Sequence, residues 1–238
     1  MQLPVCICVF AKLPVAGQVK TRLIPQLGSD GAADLALALL EDTWTSLAAL
    51  PWARPILAFT EADPPTSLPG AEVWGQGDGD LGARLARMFL RALQDHPCAI
   101  AVGSDSPGLP TRIWAEARDA LAQSDAVLGP SADGGFYLLG LHRCPADLFS
   151  EIPWSVPTTC AVTLQRLKAA GFTVHLLETW FDVDTAADLQ TLRSLLGTGR
   201  IQAPKTAAFL DTRPSLDDPR LPASVQGAPD AQADDSLT

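Results

Sequence analysis

Short apolar runs alternate with helically spaced apolar positions along most of this chain. Residues 5–10 form a continuous apolar stretch rich in β-branched residues and cysteine, the pattern of a strand buried on both faces. Ser29 can then cap a helix whose apolar positions recur at Leu35, Leu39, Trp44 and Leu47. Residues 54–59 and 72–74 read as a second and third strand. In 81–93, Leu81, Leu85, Met88, Phe89 and Ala92 fall on one helical face. Residues 99–102 predict a fourth strand, and Pro110 fits the first turn of another helix. Two more strands follow at 126–128 and 136–141. A helix over 158–170 is closed by Gly171, a strand covers 173–177, and a last helix covers 185–196.

Strands that alternate with helices predict an α/β fold, a mostly parallel sheet with helices on both faces, filling one domain over 1–196. Beyond it, 197–238 is rich in Pro, Asp, Ala and Ser and loses its periodicity. A flexible tail is expected there, with an arm docked around residues 207–210 as the competing reading.

Composition narrows the function. Of 238 residues, 47% are hydrophobic and 18% charged, enough to build a buried core. The formal net charge of −10 argues against a nucleic-acid partner, which needs clustered Lys and Arg, but leaves room for a small basic pocket. The N-terminal apolar run is too short for a signal peptide or a membrane span, so no membrane partner and a cytoplasmic location are expected. The five cysteines include no C-x-x-C pair. Cys6 and Cys8 share one face of a strand, but no second Cys or His pair lies nearby in sequence to complete a zinc site, so buried thiols are expected.

The polar clusters fall after the strands. Lys12, Lys20 and Arg22 surround a Pro/Gly turn that contains Gly17, after the first. Three cations and exposed backbone N–H groups in such a loop suit a di- or triphosphate. No G-K-[ST] is present, so this is not a P-loop. The stretch 75–82 holds a formal G-x-G-x-x-G at Gly77, Gly79 and Gly82. It lies too late in the chain for a dinucleotide fingerprint, and Asp78 and Asp80 would repel a pyrophosphate. Those glycines could instead let a base or ribose approach, with Arg84 facing it, and Asp80 reads equally as a helix cap. Asp105, ending a buried strand between Ser104 and Ser106, is placed to hold Mg²⁺ (or Mn²⁺), with Asp182 and Asp184 as candidates to complete the site. Asp133, followed by Gly134 and Gly135, could orient an acceptor hydroxyl or act as its base. Trp154 could stack on a sugar, or pack in the core. In an open parallel sheet the loops at the carboxyl ends of strands share one edge, so these clusters would meet in one site.

Taken in order, F-A-K-L-P-V-A-G-Q-V-K-T-R-L, Q-G-D-G-D-L-G-A-R, G-S-D-S-P-G-L-P, G-P-S-A-D-G-G-F-Y-L-L-G, P-W-S and F-D-V-D-T-A-A-D-L resemble a bacterial family of glycosyltransferase-A fold proteins. That family is related to molybdenum-cofactor guanylyltransferase, and some members are connected with arsenosugar biosynthesis. The K-T-R-L-I-P stretch is also similar to 2-phospho-L-lactate guanylyltransferase. The resemblance implies a single Rossmann-like sheet with one antiparallel strand, a nucleotide over the loops after the first and third strands, and Asp105 as the metal aspartate. It implies a glycosyltransferase that takes a nucleotide sugar to a small hydroxyl acceptor, with Lys20, Asp105 and Asp133 carrying the chemistry. A nucleotidyltransferase that joins a nucleoside triphosphate to a phosphorylated small molecule is the alternative, and a non-catalytic nucleotide-binding module a second one. Ser104-Asp105-Ser106 stands where glycosyltransferases of this fold carry D-x-D. The loop with Pro14 and Gly17 stands where nucleotidyltransferases carry a glycine-richer one.

Overall fold

A computed structural model describes residues 4–60, 68 and 71–213. Among these described residues, seven strands form one sheet: β1 (Val5–Ala11), β2 (Ala53–Phe59), β3 (Glu72–Gly75), β4 (Ala99–Gly103), β5 (Ala126–Pro130), β6 (Phe136–Leu141) and β7 (Val174–Leu176). Their order is β3-β2-β1-β4-β6-β5-β7. Only β6 runs antiparallel to its neighbours, so the sheet is mixed and mostly parallel. The helices are α1 (Ile24–Ala48), α2 (Leu81–Ala92), α3 (Thr111–Leu121), α4 (Thr159–Ala169), α5 (Ala186–Gly197) and α6 (Pro204–Asp211).

The two-residue period of β1 divides the core. Val5, Ile7 and Val9 face α1 and α3, where Leu40, Trp44, Ile113 and Trp114 cover them. Cys6 and Cys8 face α2, among Leu85, Met88 and Phe89. All five cysteines are free. A third cluster joins Leu23, Leu35 and Leu39 to Leu189, Leu192, Ile201 and Leu210.

Two boundaries depart from expectation. The helix expected to start at Ser29 is entered one turn earlier, at Ile24 and Pro25, through a break at Gly28 (φ 73°, ψ 167°). The packed chain also continues past 197. Ile201, Ala203 and Leu210 are buried, and α6 lies against α1. Asp42 of α1 accepts hydrogen bonds from the backbone N–H groups of Lys205 (2.9 Å) and Thr206 (2.8 Å), so it caps α6 across space. A loose tail from 197 is thus corrected for residues up to 213; 214–238 lie outside the described residues.

Chain direction places the ligand edge. From β1 the sheet is built outward through β2 and β3, and then, on the other side of β1, from β4. Ligands of open α/β sheets sit at the carboxyl ends of the strands at such a switch point, here between β1 and β4.

Candidate active site

Lys20 stands at the centre of that edge. It takes a left-handed backbone conformation (φ 46°, ψ 40°), unusual for a residue with a Cβ, just before a 3-10 turn over Thr21–Leu23. Its side chain is 5% exposed. Its Nζ lies 3.0 Å from Asp105 Oδ2 and 2.8 Å from Asp184 Oδ1, two half-exposed carboxylates. Burial alone would push the ammonium toward neutrality. Asp105 and Asp184 overcome that and hold its pKa above the ordinary lysine value.

The backbone delivers each partner. Asp105 follows the end of β4. Asp184 arrives because the chain after β7 turns back across the sheet edge. Trp180 N–H bonds to Pro130 O (3.0 Å), Ala132 N–H to Trp180 O (2.8 Å) and Val183 N–H to Asp105 O (3.1 Å). A capping box between Thr185 and Asp188 then starts α5 and fixes Asp184, whose N–H donates to Asp188 Oδ2 (3.1 Å).

Asp182 does not turn toward this centre. Its two carboxylate oxygens accept from the hydroxyls of Ser106 and Ser131. Burial pushes its carboxyl above the usual range. The two hydroxyls offset this in part, while the charges of Asp105 and Asp133 add to it. Asp182 therefore ties the β4 and β5 loops together, and the convergent carboxylates are Asp105 and Asp184. Two carboxylates facing one positive charge, with half their surface open, fit a small divalent cation that also takes phosphate oxygens. Among the described residues, no group of three or more Asp, Glu, His or Cys gathers as a metal cage.

Two adjoining cavities share Lys20, Thr21, Leu81, Ser155 and Asp184. One, of about 490 Å³, is lined by Lys12, Lys20, Arg84 and Asp105 together with Phe10, Leu40 and Gln76. The other, of about 580 Å³, meets Asp133, Phe136, Trp154, Val156 and Asp182, with Arg22 as its cation besides Lys20. Both lie in the range of small-molecule sites.

The remaining expected residues divide. Asp80 caps α2 by accepting from Ala83 N–H (2.8 Å), and Arg84 Nε donates to Gly79 O (2.9 Å). Gly17, Gly77, Asp80 and Gly82 line neither cavity. Gly82 packs beneath Phe149 and Trp154. Gly134 (φ +89) is pressed against Pro157, where a Cβ would fall 2.0 Å from the carbonyl oxygen, so its role is the turn. Asp133 Oδ1 accepts from Gly135 N–H (2.8 Å), which holds the carboxylate at the cavity wall. Gln76, Ser106, Ser131 and Ser155 were not foreseen. Ser155 also has a left-handed backbone (φ 61°); it closes the P-W-S motif, in which only Trp154 has a side chain that suggests a ligand.

Comparison with known proteins finds a matching family and several solved structures of similar fold. Residues 28–156 match a family model described as uncharacterised protein conserved in bacteria (DUF2064). A solved structure from Desulfovibrio desulfuricans, described provisionally as a nucleotide-diphospho-sugar transferase, is 30% identical with a TM-score of 0.81, covering 89% of this chain and 95% of that one. A CMP-2-keto-3-deoxy-manno-octonic acid synthetase complexed with CTP is 13% identical with a TM-score of 0.53 and coverage of 82% and 99%. A cytidylyltransferase from Leptospira borgpetersenii is 14% identical with a TM-score of 0.54 and coverage of 89% and 94%. These last two share the fold. No curated protein matches the sequence. Among the described residues, no helix is long and apolar enough to cross a membrane.

Proposed function

The chain belongs to this bacterial family, and from that premise we propose that it is a divalent-metal-dependent glycosyltransferase. The donor is a nucleotide sugar and the acceptor a small molecule with a hydroxyl group. One observation carries this reading. Beyond the Lys20–Asp105–Asp184 centre lies a cavity walled by Asp133 and by Phe136, Trp154 and Val156. Its three carboxylates, Asp133, Asp182 and Asp184, outnumber its two cations, Lys20 and Arg22, and with the apolar surface they suit an uncharged hydroxyl compound better than a phosphate.

The nucleotide occupies the smaller cavity, its diphosphate on Lys12, Lys20 and Arg84. Asp105 and Asp184 would hold Mg²⁺ or Mn²⁺, which neutralises charge on the departing diphosphate when bound. Lys20 is placed to follow that charge: its ammonium already lies between the two carboxylates and lines both cavities. Asp133 accepts the acceptor's hydroxyl proton as the bond to the sugar forms. Asp182 positions the Asp133 loop through Ser131. The cytoplasm is the expected place of action.

A second reading has support of its own. Three cations in the smaller cavity are enough for a triphosphate, which would suit nucleotidyl transfer and kinship with molybdenum-cofactor guanylyltransferase. Incubation with Mg²⁺, nucleotide sugars or triphosphates, and a pooled set of hydroxyl and phosphorylated acceptors separates the readings. Release of nucleoside diphosphate from a nucleotide sugar, lost in Asp133→Asn, supports glycosyl transfer. Acceptor-dependent pyrophosphate release from a triphosphate supports the second. Nucleotide binding with neither product would identify a non-catalytic module.

A further inference from the structure

We infer that Gln76 reads the nucleobase, by accepting a hydrogen bond from an N–H on the base edge. The inference rests on the nucleotide-binding reading of the smaller cavity.

Gln76 follows β3 directly and is 3% exposed. Its backbone is clamped: the N–H donates to Phe59 O (2.6 Å), and the carbonyl accepts from Arg87 Nη1. Arg87 also donates to Asp78 O (3.0 Å). The side-chain amide is fixed as well. Its Nε2 donates to Ala58 O (2.7 Å) and to Ala11 O (3.3 Å), carbonyls at the ends of β2 and β1. Both amide hydrogens are thereby used. Turning the amide over would set its oxygen against two carbonyl oxygens, so only one orientation is possible.

The remaining polar atom is Oε1. It has no protein donor among the described residues, and it is not sealed away from the cavity that Gln76 lines. A carbonyl held this firmly in a nearly buried site calls for a donor. Phosphate oxygens only accept, and the cations for them are Lys12, Lys20 and Arg84. The cavity that Gln76 lines is also walled by Phe10, Ala36 and Leu40, so besides phosphate it suits a flat, apolar-faced group that carries an N–H. A nucleobase is such a group. Each base presents its N–H at a different position, so one fixed acceptor discriminates among them.

The test measures binding of ADP, GDP, CDP and UDP in the presence of Mg²⁺, since a nucleoside diphosphate is common to both reaction types. Wild type should prefer one of the four. Gln76→Met should cut that preference by about 5- to 10-fold, the worth of one neutral hydrogen bond. Binding of inorganic tripolyphosphate should not change. A second arm keeps the wild-type protein and methylates the donor nitrogen of the preferred base until no N–H remains on it, which should weaken binding by at least as much. An unchanged preference in the variant, full-strength binding of the methylated analogue, or equal binding of all four would overturn the inference and leave the nucleotide reading standing. Binding of none of them would remove both.

Discussion

Replacing Gly134 with alanine should damage this protein more than its small size suggests. Two costs add. At φ +89° an L-residue is strained by roughly 1–2 kcal/mol, of which a smaller unfolded-state entropy returns part. The new methyl would also fall 2.0 Å from Pro157 O and 2.6 Å from its Cα, which are backbone atoms that cannot rotate away. Overpacking of this kind costs about 1–3 kcal/mol. The expected total is about 2–4 kcal/mol, and for a chain of this size the midpoint should fall by about 5–15 °C. Gly17→Ala is the control. Gly17 has φ +79 with nothing within 4 Å of a Cβ, so only the first cost applies and about 1 kcal/mol is expected. Thermal or urea unfolding of both variants reads the difference. If Gly134→Ala loses no more than Gly17→Ala, the contact with Pro157 does not hold the turn, and the placement of Asp133 needs another cause.

Other expectations follow from single contacts. Asp42→Ala removes the acceptor of two α6 N–H groups and should cost about 1–3 kcal/mol in urea unfolding, with α6 amides the first to exchange. Hydrogen bonds from Thr173 Oγ1 and N–H hold the Asp125 carboxyl below its usual pKa. A depressed carboxylate stabilises the fold above its unfolded pKa. The advantage of wild type over Asp125→Asn should therefore be present at neutral pH and vanish as pH falls below about 4. Lys20→Met should change stability by no more than about 1 kcal/mol, because Asp105 and Asp184 are half open to water. It should nevertheless weaken nucleoside diphosphate binding by about 10- to 100-fold, the worth of a charge-assisted hydrogen bond.

How much was legible in the sequence depends on how local each feature is. Buried strands such as β1 and β4 declare themselves as unbroken apolar runs, and α2 through its one-sided periodicity. The direction of β6 is invisible to such patterns, because Phe136 to Leu141 is buried on both faces whichever way it runs; it was implied by the family resemblance alone. Helix α6 was obscured by low-periodicity neighbours, and its cap, Asp42, lies 163 residues away from Lys205. Asp105, Lys20 and Asp133 were legible as carboxylates and cations at strand ends. The D-x-D spacing does not disclose that Asp182 and Asp184 take different partners. Two residues apart means one face only in a regular strand, and residues 181–184 are irregular, so Ser106 and Ser131 claim Asp182 while Asp184 reaches Lys20. Gln76 opens the Q-G-D-G-D-L-G-A-R motif, but a glutamine beside a glycine-rich turn carries no chemistry that marks it as a binding residue. Only its bonds to the β1 and β2 carbonyls single it out.

Thermal unfolding of wild type and Asp105→Asn, with a nucleotide sugar and with or without millimolar Mg²⁺, bears most directly on the metal-assisted nucleotide site. At about 100 times its dissociation constant the ligand should stabilise wild type by about 2.7 kcal/mol, a rise of about 5–10 °C that requires Mg²⁺. Asp105→Asn should lose that rise. An equal Mg²⁺-dependent rise in the variant, or a wild-type rise indifferent to Mg²⁺, would contradict the assignment of Asp105 and Asp184 to the metal.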